Sequence, residues 1–173
     1  PKLSLAWYNK GNVLAKLDNY EEAINAYEKA IEIDPKFDPT WKAKGGALYK
    51  QGHYDEAIRA YDKAIEINSR FAEAWYDKGL ALVNQGKSDE AIKAFDKAIE
   101  INPQNAVAWR NKGLALTIQD KYDDAIKAFD KAIEINPQDA AAWYAKSLTL
   151  KLLGRTTEAD AASAKAKELG YAG

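Results

Sequence analysis

The sequence predicts an all-α protein, an α-solenoid built from tandem antiparallel helix pairs. Three observations carry that prediction. First, tryptophan occurs five times, at Trp7, Trp41, Trp75, Trp109 and Trp143, always 34 residues apart, and self-similarity at a fixed period of about 20–50 residues marks a stacked repeat. Second, the apolar residues inside each period fall on helical faces. Trp75, Gly79 and Leu82 are spaced i, i+4, i+7, and Ala91, Ile92, Phe95, Ala98 and Ile99 form a second stripe. Third, breakers stand between the stripes: Gly86 and Lys87 within a period, Pro103 at its end.

Each repeat is numbered so that its tryptophan is place 4, giving repeats 4–37, 38–71, 72–105, 106–139 and 140–173, with residues 1–3 as the remnant of a preceding one. The whole chain, 1–173, is then a single array. The first helices are expected near 4–17, 38–51, 72–85, 106–119 and 140–153, each carrying Trp, Lys and Leu at places 4, 7 and 11. Glycine holds place 8 in four of them, and Ser147 holds it in the fifth. The second helices are expected near 20–33, 54–67, 88–101, 122–135 and 156–169. Acid pairs such as Asp89 and Glu90 open them, where the helix dipole favours negative charge. Asn105 is placed to cap the helix that follows Pro103. One helix pair cannot bury both its faces, so stacked neighbours must complete the core.

Composition excludes several function classes. The charge is balanced, with 25 Lys+Arg against 26 Asp+Glu, which disfavours nucleic acid as a partner. No run approaches the roughly 18 apolar residues of a membrane span, and residence in the cytoplasm is expected. Cysteine is absent and histidine occurs once, at His53 in a turn. Thiol catalysis and multi-histidine or cysteine-bearing metal sites are therefore excluded. No Gly-rich phosphate loop or catalytic dyad stands out. The chain is expected to be no enzyme and to need no cofactor or metal.

The places that recur are those of a known family. Trp at place 4, Gly at 8, Leu at 11, Ala at 20, Tyr27, Tyr61, Phe95 and Phe129 at 24, Ala at 27, and Pro35, Pro103 and Pro137 at 32 closely resemble the tetratricopeptide repeat. The resemblance covers 170 of the 173 residues. It implies a right-handed superhelix of helix pairs whose first helices line a concave groove, where partner peptides bind. Pro1 stands 34 residues before Pro35 and reads as the closing proline of an earlier repeat, as though the chain were cut from a longer array. Lysine at place 7 (Lys10, Lys44, Lys78, Lys112, Lys146) departs from the family's leucine. Its helical angle puts it inside the packing face. The stem is expected to pack while the ammonium snorkels to water or a nearby carboxylate, such as Asp62 at place 25 or Glu66 at place 29.

Repeats three and four differ at nine of 34 places: 2, 5, 6, 12, 13, 15, 17, 19 and 34. The first-helix differences fall opposite Trp, Gly and Leu, so the packing face is constant while the face turned away from it varies. That varied face gives the candidate binding residues: Tyr8, Asn9 and Asn12; Lys42, Tyr49 and Lys50; Tyr76, Asp77, Leu80 and Asn84; Arg110, Asn111 and Leu114; Tyr144 and Leu148. Val107, Ile118, Lys151 and Leu152 share it. Tyr and Arg are frequent interface anchors, and Tyr8, Tyr49, Tyr76, Tyr144 and Arg110 are expected to be more exposed than the tryptophans. The lining suits an extended protein or peptide segment with apolar side chains and some negative charge.

Two family modes fail on the residues. The carboxylate clamp of chaperone-tail receptors needs Asn where Gly46 stands, and Asp77 and Val107 occupy other clamp places. The asparagine ladder of the O-GlcNAc-transferring enzymes survives only at Asn9 and Asn111. The expected role is a protein-protein interaction scaffold. The alternatives are a self-associating structural module, or the substrate-recruiting arm of a larger enzyme of the O-GlcNAc-transferase kind. RNA reading is disfavoured, since pentatricopeptide readers have a 35-residue period and need phosphate affinity. At the C-terminus, Asp160, Ser163 and Lys167 make a polar outer face of the kind that closes a stack. At the N-terminus, Leu3, Ala6, Val13 and Leu17 form an apolar stripe, from which weak homo-association is expected.

Overall fold

The computed structural model describes residues 2–171, so Pro1, read above as a remnant proline, lies outside the described residues. It contains ten helices: α1 (Lys2–Lys16), α2 (Tyr20–Ile33), α3 (Asp38–Lys50), α4 (Tyr54–Ile67), α5 (Ala72–Asn84), α6 (Ser88–Ile101), α7 (Ala106–Ile118), α8 (Tyr122–Ile135), α9 (Ala140–Leu152) and α10 (Thr156–Glu168). All ten fall within two residues of the ranges expected from sequence. Among the described residues there is no strand.

The chain divides into two compact units, Pro1–Gly86 and Lys87–Gly173. The first contains α1 to α5. Its pairs are α1 with α2 and α3 with α4, and α2 packs on α3 as α4 packs on α5. The second contains α6 to α10, with α7 paired to α8 and α9 to α10, and with α6 on α7 and α8 on α9. Within the first unit α1 also touches α3, and α3 touches α5, whereas α2 and α4 do not meet among the described residues. In the second, α7 touches α9 in the same way. Each unit is therefore tighter on the side of its first helices, which makes that side the inner one.

Small residues set the spacing. The place-20 alanines Ala23, Ala57, Ala91, Ala125 and Ala159 have no exposed surface. The place-8 glycines are notches for the place-24 rings of the paired helix. A methyl on Gly11 would lie 2.5 Å from the Tyr27 ring, on Gly45 2.6 Å from Tyr61, and on Gly113 2.6 Å from Phe129. Those rings are 0–2% exposed and cannot retreat. Burial pushes the Tyr27 hydroxyl up to about 12 and Tyr61 upward as well, so both stay protonated.

The turn inside each repeat needs a left-handed residue at place 15. Gly52, Gly86 and Gly154 supply it at φ +73 to +80, and Asp18 and Asp120 adopt φ 58 instead. Where aspartate replaces glycine, Tyr at place 17 donates to its carboxylate, Tyr20 to Asp18 and Tyr122 to Asp120. The Asn105 side chain caps α7 at the Ala108 amide, 3.1 Å away, and Asp139 caps α9 likewise at Ala142.

Adjacent glycines in α3 give a paired test. Gly45→Ala should lower stability by about 1–3 kcal/mol through overpacking against Tyr61. At Gly46, where nothing lies within 4 Å of an added methyl, alanine should raise it by about 0.5–1 kcal/mol through helix propensity. Urea unfolding followed by circular dichroism measures both; equal effects at the two positions would contradict the notch.

Candidate interaction face

The inner face of the first unit is largely occupied by its own contacts. Lys42 Nζ on α3 reaches Asp77 on α5 at 3.0 Å, and the Asn84 amide donates to the Tyr49 hydroxyl at 2.8 Å. The Tyr49 ring leans on Tyr54, 5.5 Å between centroids. Tyr8 meets the edge of Phe37 at 5.4 Å, and Asn12 accepts from the Tyr27 hydroxyl at 2.9 Å. Asn9 and Lys50 are exposed, and Tyr76 and Leu80 are half-buried. Burial raises the Asp77 carboxyl above the ordinary aspartate value, outweighing the lowering effect of Lys42.

The inner face of the second unit has a different chemistry. Leu114 and Ile118 on α7 are 41% and 63% exposed, and Leu148 and Leu152 on α9 are 43% and 60% exposed. These are places 9 and 13 of two consecutive repeats, so α7 and α9 present one apolar band. In the first unit the same places hold Asn12, Lys16, Gly46, Lys50, Leu80 and Asn84. Beside the band Arg110 binds both oxygens of Asp139, at 2.7 and 2.6 Å, with the acid nearly buried. Thr117 and Thr149 hydrogen-bond across the two helices at 3.1 Å. Asn111 is half-buried, and Tyr144 stacks on Tyr171 at 4.3 Å.

These contacts correct the expected cation supply: Lys42 and Arg110 are neutralised within the chain. The partners were not obvious from sequence, because Asp139 lies at a repeat end and Asp77 one repeat away. The groove tyrosines, Arg110 and all five tryptophans are half-buried. Trp41, Trp75, Trp109 and Trp143 each turn their indole N–H outward to the place-32 carbonyl of the preceding repeat, at 2.9–3.1 Å.

The place-7 lysines behave as expected in four repeats. Lys44, Lys78, Lys112 and Lys146 reach Glu28, Asp62, Asp96 and Asp130 at 2.5–2.8 Å, with lysine side chains only 20–22% exposed. Every partner is the place-25 acid of the preceding repeat. Two corrections follow. Glu66 at place 29 is instead held by Lys63, one turn earlier on the same helix. Lys10 is exposed rather than packed along its stem.

Two hollows lie away from the inner face. One of about 520 Å³ runs between α2 and α4 with Trp41, Lys44 and Leu48 as its floor. Its equivalent in the second unit, about 470 Å³, has Trp109, Lys112 and Leu116 in the same places.

Family profiles described as tetratricopeptide repeat match residues 4–37, 42–106, 78–140 and 128–161. The chain belongs to the tetratricopeptide repeat family. Solved tetratricopeptide structures agree. MamA is 29% identical and superposes with a TM-score of 0.87 over 92% of this chain and 93% of that one. MamA from Desulfovibrio magneticus RS-1, residues 41 to the end, is 20% identical with a TM-score of 0.91, covering 98% and 96%. YrrB, described as a TPR protein with an unusual peptide-binding site, is 24% identical with a TM-score of 0.81, covering 95% and 84%. The last two likenesses speak for the fold alone. No curated protein sequence matches the chain. Among the described residues no helix is long and apolar enough to cross a membrane.

A buried acid with a raised pKa favours the folded state when protonated, a contribution lost as pH rises through the folded-state value. Asp77→Asn should therefore raise the melting temperature at neutral pH, by up to about 1 kcal/mol of stability. The advantage should vanish below the ordinary carboxylate range. Thermal melts from pH 3 to 8 check this; a variant less stable than the parent at pH 7 would show that the Lys42 bridge outweighs burial.

Proposed function

We propose that the chain is a non-catalytic protein-interaction scaffold that takes an extended apolar segment on the inner face of its second unit. The observation that carries this reading is the band of Leu114, Ile118, Leu148 and Leu152, exposed on neighbouring helices. Membership of a repeat family whose solved relatives include a peptide-binding protein is consistent with it, and supplies the general role of protein binding. An exposed apolar band on a folded surface is the ordinary mark of a partner site. The chemistry of the segment follows from which cations are spent. With Arg110 bound internally, Lys151 on α9 is an exposed cation beside the band. The segment is accordingly more apolar than acidic.

This choice also directs the mutagenesis. Arg110→Ala would leave the nearly buried Asp139 without its guanidinium and so change stability as well as binding. Leu114 and Ile118 are exposed and can be replaced without disturbing the core. Extended peptides selected from a random library on the intact chain should lose at least about tenfold in affinity for the double variant Leu114→Asp, Ile118→Asp, the size of one anchor contact, while helicity is unchanged. Selected peptides that bind the variant as tightly as the parent would place the site elsewhere.

A further inference from the structure

In the first repeat, place 9 of one helix and place 24 of its pair are joined by a hydrogen bond on the inner side. The Tyr27 hydroxyl donates to the Asn12 side-chain carbonyl at 2.9 Å. The second repeat keeps the donor and lacks the acceptor: Tyr61 stands at place 24 and Gly46 at place 9. Repeats three and four have no ring hydroxyl to satisfy, because Phe95 and Phe129 hold place 24.

Gly46 has no packing reason within the chain. Its neighbour Gly45 must lack a side chain, since a methyl there would lie 2.6 Å from the Tyr61 ring. A methyl on Gly46 would meet nothing within 4 Å, yet glycine inside a helix costs stability relative to alanine. What glycine supplies at such a place is close approach of another molecule to the backbone.

The opening ends on the Tyr61 side chain, which is 2% exposed and whose hydroxyl burial keeps protonated. Asp77 and Tyr49 are close enough to act on that hydroxyl electrostatically. Tyr49 already accepts from Asn84 at 2.8 Å. Asp77 meets Lys42 through its Oδ2, so its Oδ1 can still accept. A buried donor without an acceptor costs free energy. One free donor beside one free acceptor is matched by a carboxamide, which carries both groups. A carboxylate could accept from Tyr61 but would face Asp77 and its neighbouring acid Glu73. An ammonium could not accept from Tyr61 at all and would meet Lys42.

We propose that Gly46 opens a carboxamide subsite on the inner face of the first unit, filled by an asparagine or glutamine side chain of an extended partner peptide. The amide oxygen accepts from Tyr61 and the amide nitrogen donates to Asp77. The partner thereby supplies the group that Asn12 supplies within the first repeat. This subsite is separate from the apolar band of the second unit, and neither requires the other.

The test titrates the isotope-labelled intact chain with a blocked pentapeptide, glutamine flanked by two alanines on each side. Two-dimensional NMR follows the Gly46 backbone amide. It should shift saturably, with a dissociation constant of about a millimolar. The same peptide with glutamate in place of glutamine should bind at least about fivefold more weakly, the size of one hydrogen bond. Tyr61→Phe should cause a similar loss. That variant keeps the fold, since Phe129 fills the equivalent place against Gly113, and its melting temperature checks this. Gly46→Asn should fill the subsite from within and abolish binding. Leu114→Asp with Ile118→Asp should leave binding unchanged, which separates this subsite from the band. The proposal is overturned by no saturable shift at Gly46 up to ~50 mM peptide, by equal binding of the two peptides, or by binding that survives Tyr61→Phe or Gly46→Asn.

Discussion

The contact between a place-24 ring and a place-8 glycine fixes the distance between paired helices, and everything else in each unit is arranged around it. With Tyr27, Tyr61 or Phe129 seated against the opposite backbone, the alanines at places 20 and 27 close the rest of the pair. A fixed pair geometry then presents Trp, Lys and Leu in the same positions each time. That sameness is what allows consecutive repeats to meet through two polar locks. One is the indole N–H to the preceding carbonyl. The other is the place-7 lysine to the preceding acid. Each lock is individually modest, the acid being about half exposed. Their value lies in recurring at every junction and in specifying register.

The fold was legible because packing requirements repeat and sequence repeats with them. The 34-residue clock of tryptophan placed all ten helices within two residues. The constant face could be separated from the varied one by comparing two repeats of the same chain. Interactions that break the repeat were the ones that reading missed. Arginine stands at place 5 in one repeat, as Arg110, and its partner Asp139 sits at place 34, where sequence alone reads a helix cap like Asn105. Asp18 and Asp120 stand in a left-handed position where glycine was the natural expectation, and only the Tyr20 and Tyr122 hydroxyls explain them. The half-exposure of the tryptophans was hidden because their hydrogen-bond acceptor is backbone, which carries no side-chain signature.

The two units differ in the chemistry of their inner faces. In the first unit its charges and amides are spent on one another, as in Lys42 with Asp77 and Asn84 with Tyr49. In the second it is aliphatic and open. A scaffold can in this way keep one unit's inner face internally paired and leave the other unit's open for a ligand.

If ring-in-notch packing governs the helix pair, the two sides of the notch must be energetically coupled. A double-mutant cycle on Gly113→Ala and Phe129→Leu measures that coupling directly, by urea unfolding of the two single variants and the double. The added methyl lies 2.6 Å from the Phe129 ring. Leucine removes ring atoms from that space, so the double variant should be less destabilised than the sum of the singles by at least about 1 kcal/mol. Additive effects, to within about 0.5 kcal/mol, would show that the glycine is required for some other reason and would contradict the account.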